Sequence, residues 1–322
     1  MKKFLLNSAL FIVLFFIAEK GMYYFLQKAP DREYDKRLEH LINGEMNKDL
    51  FVFGSSRGGG NILAEQIEKE TGYSSYNLSY QGANIIYQNF ILKTLLKYNN
   101  APKKIIMVID NPQEFTKVPT LNFRYDRLYP LSKYNYINNE LIAQNERSII
   151  SKLFCLARIN TSNFKTETIN PPSLNPFESC GSRPVIRKKP TNDLIFINHS
   201  TDYSILDELP EYIAAFKNIQ ALCKANHIQL IFVFSPNFHV FNYEFKNRFE
   251  GLMLSENKII VYDRLNPIYK NKDFFYDESH LMKNGAEVFT SEISGLMMFL
   301  LAIFCCVNCK MCTLATNNIG FK

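Results

Sequence analysis

Two short motifs near opposite ends of the chain carry residues that could together perform nucleophilic chemistry. Gly54-Ser55-Ser56-Arg57 follows a short apolar run, and Asp277 and His280 stand close together near the other end. A carboxylate that holds one imidazole nitrogen leaves the other free to accept the proton of a serine hydroxyl, which can then attack an acyl carbon. The residue types therefore predict a Ser-His-Asp triad composed of Ser56, His280 and Asp277.

The first motif offers two serines, so Ser56 and Ser55 are alternative nucleophiles. The residue directly after a glycine more often supplies the geometry of the turn, and Ser56 is therefore the predicted nucleophile. Arg57 either binds a carboxylate or phosphate of the substrate or forms an ion pair with a neighbouring acid. The glycines at 58–60 lack the lysine and hydroxyl residue of a phosphate-binding loop, so we expect them to give a substrate access to the backbone.

The elements around the two motifs follow the pattern of an α/β fold. Short apolar, β-rich runs alternate with segments that have helical spacing. The predicted strands span 50–53, 76–79, 104–110, 228–235 and 258–262, and the predicted helices span 61–71, 84–98, 206–225 and 243–255. Strands separated by helices give a parallel sheet between two layers of helices, which is a three-layer α/β/α sandwich. Both motifs would then lie at the carboxyl ends of strands, where such sheets place their sites.

The regular alternation fails between residue 111 and about residue 200. This segment is rich in Tyr, Asn, Pro and Ser and is too long to be a single loop of a compact domain. We therefore predict an insertion with short helices at 134–144 and 147–156. It would lie over the carboxyl edge of the sheet as a lid or substrate platform of the α/β domain, which spans 49–294.

The N-terminus has the features of a membrane anchor. Lys2 and Lys3 precede an uncharged apolar run at 4–18, which favours an orientation with the N-terminus in the cytoplasm. We predict an uncleaved anchor at 1–27 and a stalk at 28–48, with the α/β domain on the periplasmic side of the cytoplasmic membrane. The alternative is a cleaved signal peptide, since the run is short for a membrane span; against it, no small-residue cleavage site precedes Glu19.

Composition excludes some classes of function. The 37 basic and 31 acidic residues give a net charge of +6 without a basic helix or zinc-finger spacing, so no nucleic-acid partner is predicted. Four of the seven cysteines lie in an apolar tail at 295–322: Cys305, Cys306, Cys309 and Cys312. No histidine or second CxxC pair lies near them, so the sequence predicts a disordered or membrane-associated tail, and neither a metal site nor a cofactor.

Taken together, the two motifs resemble those of the SGNH (GDSL-like) hydrolases, particularly the membrane-anchored branch similar to DltD and the alginate O-acetylation proteins. The stretch from Gly54 to Arg57 matches the nucleophile block of that branch, with Ser56 in the position of the catalytic serine. Asp277 and His280 match the Asp-x-x-His pair of the family's last block. The resemblance therefore implies that these three residues form a catalytic triad.

Two further blocks of that family have counterparts here, and they supply candidates for the oxyanion hole. Asn77-Leu78-Ser79 and the following Gln81-Gly82-Ala83 resemble the second block, whose glycine, here Gly82, donates its amide to the oxyanion. The segment 110–115 lies where the family has its asparagine block, but it lacks the usual Gly-x-Asn-Asp. Asn111 is therefore either an oxyanion donor or a structural cap of the strand end.

The resemblance implies a membrane-anchored serine esterase or O-acyltransferase. Its substrate would be an acyl ester of an envelope polysaccharide or related polymer, and a membrane-bound acyltransferase is a further partner that the resemblance implies. The alternative is a non-catalytic envelope protein that keeps the fold and binds polymer or such an acyltransferase. Serine chemistry of this kind requires no cofactor.

Overall fold

A computed structural model of the chain describes residues 1–165, 167–187 and 194–308, with the backbone alone from residue 300 onward. The chain divides into two compact units. The N-terminal unit comprises Met1–Glu45 and Phe123–Pro171, and the sheet unit comprises Met46–Asn122 and Pro172–Lys322. Most of the segment predicted as a stalk, up to residue 45, and part of the predicted insertion thus belong to the same unit as the N-terminal helix.

Five parallel strands form the sheet in the order β2-β1-β3-β4-β5. Their bounds are β1 Leu50–Phe53, β2 Ser75–Asn77, β3 Lys104–Ile109, β4 Gln229–Phe234 and β5 Lys258–Val261. Every residue of β1 and β3 is buried, because apolar side chains on both faces of a central strand are covered by helices. These strands lie within two residues of the predicted ones at each end.

The α-helices occupy much of the remaining described chain. Their bounds are α1 Lys2–Lys28, α2 Arg37–Ile42, α3 Ser56–Asn61, α4 Ala64–Thr71, α5 Ile85–Tyr98, α6 Tyr125–Leu128, α7 Asn135–Ala143, α8 Pro210–Ala225, α9 Tyr243–Leu252 and α10 Lys283–Asn308. The helix predicted at 134–144 is α7, whereas 147–156 contains one short 3-10 turn, Ile149–Lys152, and a second, Leu156–Arg158, begins at its end.

Helices of the sheet unit cover both faces of the sheet. Phe216 of α8 and Phe249 of α9 pack against Phe232 of β4, with ring centroids 5.3 and 5.0 Å away. α5 packs beside α8, whereas α3 and α4 pack against α10. The connection from β1 to β2 and the connection from β2 to β3 run in opposite directions across the sheet. Because both are right-handed crossovers, their helices lie on opposite faces. The prediction of an α/β fold with a parallel sheet is confirmed.

The glycine-rich stretch after β1, where no helix was predicted, is helical. The helix expected at 61–71 is two helices, α3 and α4, separated by extended backbone at Ile62 and Leu63. A Cβ at Gly58 would lie 2.4 Å from Ser79 Oγ and 3.1 Å from the Phe53 carbonyl oxygen. The expectation that the glycines leave room for substrate is wrong at Gly58, because the protein itself occupies that space.

The N-terminal unit contains the predicted anchor. Within the described residues, one helical segment, Lys2–Arg32, which consists of α1 and the 3-10 turn after it, is long and apolar enough to cross a membrane, and no residue of its most apolar window is buried. α1 continues without a break through Glu19, whose carboxylate accepts hydrogen bonds from the amides of Cys155 and Leu156 at 2.5 and 3.1 Å. The charged pair at 19–20 therefore does not end the helix. The chain is consistent with a single-pass anchor, and the side of the membrane stays a prediction.

The last helix crosses the predicted boundary between domain and tail. α10 begins at Lys283 and runs to Asn308, past residue 294. Its early turns bury Ala286, Phe289 and Ile293, which recur at spacings of three and four residues as expected for a helix covering a sheet. The cysteine cluster lies outside the residues whose side chains the structure describes.

Candidate active site

A sharp change of backbone direction after β1 presents Ser56 at the carboxyl edge of the sheet. Gly54 has a φ of +150°, a conformation that other residues rarely adopt, and a Cβ there would lie 3.1 Å from the Val108 carbonyl oxygen. Ser56 is the first residue of α3, and Ser55 caps that helix. In a sheet of order 2-1-3-4-5, the crevice between the ends of β1 and β3 is where ligands bind. Ser56 lies at this switch point.

The structure brings Ser56, His280 and Asp277 together. His280 Nε2 lies 2.7 Å from Ser56 Oγ, and His280 Nδ1 lies 2.8 and 3.0 Å from the two carboxylate oxygens of Asp277. The carboxylate accepts the Nδ1 proton, which leaves Nε2 as the acceptor for the serine hydroxyl. The three side chains therefore have the hydrogen-bonding order of a nucleophile, a base and a group that orients the base. Their catalytic role stays a prediction.

Asp277 is held in its ionised form. Partial burial raises the pKa of this carboxyl, but hydrogen bonds from the His280 ring and from the amides of Ser279 and His280 outweigh it and lower the pKa to about 2. A carboxylate that stays charged at neutral pH can stabilise an imidazolium formed beside it. Asp277 is therefore suited to orient His280 and to balance its charge.

Ser55 has a structural environment that separates it from Ser56. It is buried, and its Oγ donates a hydrogen bond to Asp110 at 2.7 Å and accepts one from the Arg57 amide at 3.3 Å. These bonds cap α3 and tie it to the end of β3. Of the two alternative nucleophiles, Ser56 is the one whose hydroxyl contacts the imidazole.

Arg57 is paired within the protein. Its side chain is 9% exposed, its Nε lies 3.3 Å from Asp110, and its Nη1 donates to the Asn111 carbonyl oxygen at 3.1 Å. Of the two roles predicted for Arg57, this geometry favours the ion pair with a neighbouring acid. The guanidinium holds the end of β3 beside the nucleophile turn.

The predicted oxyanion donors follow the two strands that neighbour β1 in the sheet. Beyond β2 the chain continues along β1, with the Tyr80 amide donating to the Gly54 carbonyl oxygen at 3.1 Å, and Gly82 follows in the next turn. In the described part of the chain, the Gly82 amide has no hydrogen-bond acceptor. Asn111 follows β3 on the other side of β1 and is buried, and no described residue partners its side-chain Nδ2 or Oδ1. An oxyanion requires unpartnered donors close to the nucleophile, and the roles of Gly82 and Asn111 as such donors stay predictions.

Asn61 forms hydrogen bonds with the residues before and after His280 in the loop at 277–281, which we call the histidine loop. This role of Asn61 was not predicted from the sequence. Asn61 is fully buried at the end of α3; its Nδ2 donates to the Ser279 carbonyl oxygen at 3.2 Å, and its Oδ1 accepts from the Leu281 amide at 2.9 Å. The helix that begins with Ser56 thus ends with the side chain that brackets His280. An asparagine five positions after the nucleophile was the available signal.

Replacing Asn61 with alanine should lower kcat for an ester substrate by about 10- to 100-fold with little change in KM, because a base displaced by about 1 Å transfers protons poorly. The measurement is steady-state hydrolysis of p-nitrophenyl acetate by the full chain in detergent micelles. Asn226→Ala, an exposed asparagine at the end of α8, is the matched control. A kcat equal to that of the control would show that Asn61 does not position His280.

A buried acidic pair lies behind the nucleophile turn. The Asp110 amide donates to Glu114 at 2.7 Å, and both carboxyl groups are fully buried. Burial, with the neighbouring Asp110 charge, raises the pKa of Glu114 to about 8. Burial also raises the pKa of Asp110, against the opposing effect of Arg57. Glu114 is therefore protonated in the folded protein at neutral pH.

The Glu114→Gln substitution should flatten the dependence of stability on pH. Between the ordinary pKa of 4.5 and about 8, folded Glu114 keeps a proton that the unfolded chain loses. The free energy of unfolding therefore falls as pH rises through this window, by at most about 1.4 kcal/mol per pH unit for this group. Glutamine stays neutral and removes this slope. Urea unfolding followed by circular dichroism measures it, with the exposed Glu244→Gln as control. Equal slopes in Glu114→Gln and the control would contradict the prediction.

A comparison with protein families gives one match that covers most of the chain. The model of the family described as "Protein of unknown function (DUF1574)" matches residues 4–235. The matched range includes Ser56, Gly82 and Asn111 and ends before Asp277. Among curated proteins no significant match is found. The chain, with its apolar N-terminal helix and its serine at the switch point of a parallel sheet, belongs to this DUF1574 family.

Proposed function

We propose that this protein is a membrane-anchored serine esterase or O-acyltransferase of the SGNH type. The observation that carries the proposal is the pair of bonds through one imidazole, 2.7 Å to Ser56 and 2.8 Å to Asp277. In an Asp-x-x-His turn that was only a surface loop, nothing would place the second imidazole nitrogen of the histidine within hydrogen-bonding distance of a serine hydroxyl. Further support comes from the position of Ser56 at a helix start, at the carboxyl end of a strand that lies between the strands preceding Gly82 and Asn111.

In the proposed reaction, Ser56 Oγ attacks the acyl carbon while its proton passes to His280 Nε2. The oxyanion accepts hydrogen bonds from the Ser56 and Gly82 amides and from the side chain of Asn111. The imidazolium then protonates the leaving alcohol, and the acyl group stays on Ser56 as an ester. Water or a second hydroxyl next attacks the acyl carbon while its proton passes to His280. The bond from the acyl carbon to Ser56 Oγ then breaks, and His280 returns the proton to Ser56, which completes hydrolysis or transfer.

The proposed substrate is an acyl ester of an envelope polysaccharide or related polymer, and the proposed location is the periplasmic side of the cytoplasmic membrane. The lysines at 2 and 3 before the apolar helix support this orientation. A membrane-bound acyltransferase would be the partner that delivers acyl groups. These parts of the proposal rest on the resemblance to SGNH proteins of the cell envelope.

An active-site serine probe tests the proposal. A fluorophosphonate should label the full chain in detergent micelles at one serine, because the imidazole activates the hydroxyl for attack on phosphorus. Labelling should vanish in Ser56→Ala and persist in Ser55→Ala, with folding checked by circular dichroism. Absence of labelling in the folded wild-type chain would instead support the non-catalytic alternative, in which the fold only binds polymer or an acyltransferase.

A further inference from the structure

A cavity of about 320 Å³ lies beyond the ends of β4 and β5 in the sheet unit. Its volume is that of a small ligand-binding pocket. The residues on which the argument depends are Asn237, Phe241, Tyr243, Tyr262, Arg264 and Lys270. We call this space the β4–β5 cavity.

The β4–β5 cavity is connected to the loop that carries the triad. The Phe238 amide donates to the Glu278 carbonyl oxygen at 2.7 Å, and the Phe238 ring packs on Phe275 with centroids 4.9 Å apart. Asn237 and His239, on either side of Phe238, both line the cavity. Glu278 lies between Asp277 and His280 in the chain. The segment 237–239, which supplies part of the cavity lining, therefore contacts the segment that holds the proposed base.

The lining of the cavity is positively charged. Among the described residues that line it are Arg264 and Lys270, but no aspartate or glutamate. Both cations are exposed, and no carboxylate in the described part of the chain forms an ion pair with either of them. The Arg264 guanidinium instead lies over the Tyr243 ring, 4.9 Å from its centroid. The two cations are thus available to an anionic ligand.

Asn237 supplies an independent sign of a ligand. It is 2% exposed, lines the cavity, and no described residue hydrogen-bonds its Oδ1 or Nδ2. A buried primary amide can donate two hydrogen bonds and accept two, and leaving all of them unmade is costly. Both atoms are enclosed in the structure, so a rotation of the side chain toward the cavity would let the hydroxyl groups of a ligand bond with both ends of this amide.

We infer that the β4–β5 cavity binds an anionic saccharide unit of the substrate. The aromatic walls can cover the apolar face of a sugar ring, the Asn237 amide can bond its hydroxyls, and Arg264 and Lys270 can pair with its carboxylate or phosphate. As a statement about the acyl-bearing polymer, this inference rests on the proposed function. Binding itself can be measured without any turnover.

The test is calorimetric titration of full-length Ser56→Ala in detergent micelles, which retains the cavity and lacks the proposed nucleophile. The ligands are trigalacturonate, which carries carboxylates, glucose 6-phosphate, which carries a phosphate, and neutral maltotriose. We expect at least one charged sugar to bind about tenfold more tightly than maltotriose. Adding Arg264→Met and Lys270→Met should weaken that binding about tenfold or more. Lys272→Met, an exposed lysine outside the cavity, should leave it unchanged.

Equal affinity for charged and neutral sugars, or no binding of either, would overturn the inference. So would a double variant that is folded by circular dichroism and binds like Lys272→Met. If the double variant does not fold, the single Lys270→Met variant takes its place. Trigalacturonate and glucose 6-phosphate separate a carboxylate from a phosphate as the anion. Labelling of Ser56 without sugar binding would refute this inference alone, and sugar binding without labelling would refute only the proposed chemistry.

Discussion

Replacing His280 with alanine should lower kcat for p-nitrophenyl acetate by about a thousandfold or more. Its Nε2 is 2.7 Å from Ser56 Oγ, so the imidazole is placed to take the proton as the hydroxyl attacks. Without it, water must accept the proton, and the rate falls to what binding and the oxyanion donors supply by themselves. The same substitution should abolish fluorophosphonate labelling of Ser56, because both reactions need the same proton acceptor.

The control for His280→Ala is His227→Asn. His227 is exposed and has a φ of +56°, which asparagine tolerates, so the substitution removes an imidazole without straining the backbone. This control should retain the wild-type rate and labelling. A loss of less than about tenfold in His280→Ala would remove the imidazole from the proton transfer and leave the 2.7 Å contact without a chemical role.

The second large effect is expected from Asp277→Asn, which should lower kcat by about a thousandfold to ten-thousandfold. The side-chain amide of asparagine has nearly the same shape as the carboxylate. Its oxygen can still accept hydrogen bonds from the backbone amides of Ser279 and His280, so the turn is kept. Its NH₂ group can instead donate to His280 Nδ1, which stabilises the tautomer with the proton on Nε2. That tautomer cannot accept the proton of Ser56, and the neutral amide does not stabilise an imidazolium.

The pH profile distinguishes this role of Asp277 from a structural one. Because hydrogen bonds to its carboxylate outweigh burial and lower its pKa to about 2, Asp277 stays ionised from mildly acidic to alkaline pH. The defect in Asp277→Asn should therefore be present throughout that range. Asp273→Asn, an exposed aspartate in the preceding turn, is the control and should keep the wild-type rate. A folded Asp277→Asn with near wild-type kcat would limit Asp277 to holding the turn.

Much of the sheet was predictable because it depends on short-range patterns. β1 coincides with the predicted 50–53, and the strand ends elsewhere differ by at most two residues. Apolar, β-branched runs between helical segments have few other stable arrangements. The helix α3 was not predictable in this way, because glycines in general disfavour a helix. The reason for a glycine at position 58, the close approach of Ser79, is visible only in the tertiary structure.

The sequence by itself determined which local motifs the protein contains: a serine at a glycine turn, an Asp-x-x-His turn, and an apolar helix at the N-terminus. Tertiary structure alone decided which of these side chains meet. Tertiary packing paired Ser55 and Arg57 with Asp110 and placed Asn61 in hydrogen-bond contact with the residues on both sides of His280. It also lined the β4–β5 cavity with cations from the turns after β5. The physical reason is that residue type and local spacing set the backbone geometry of a turn. Contacts between segments distant in the chain depend on strand order and on how the helices pack between them.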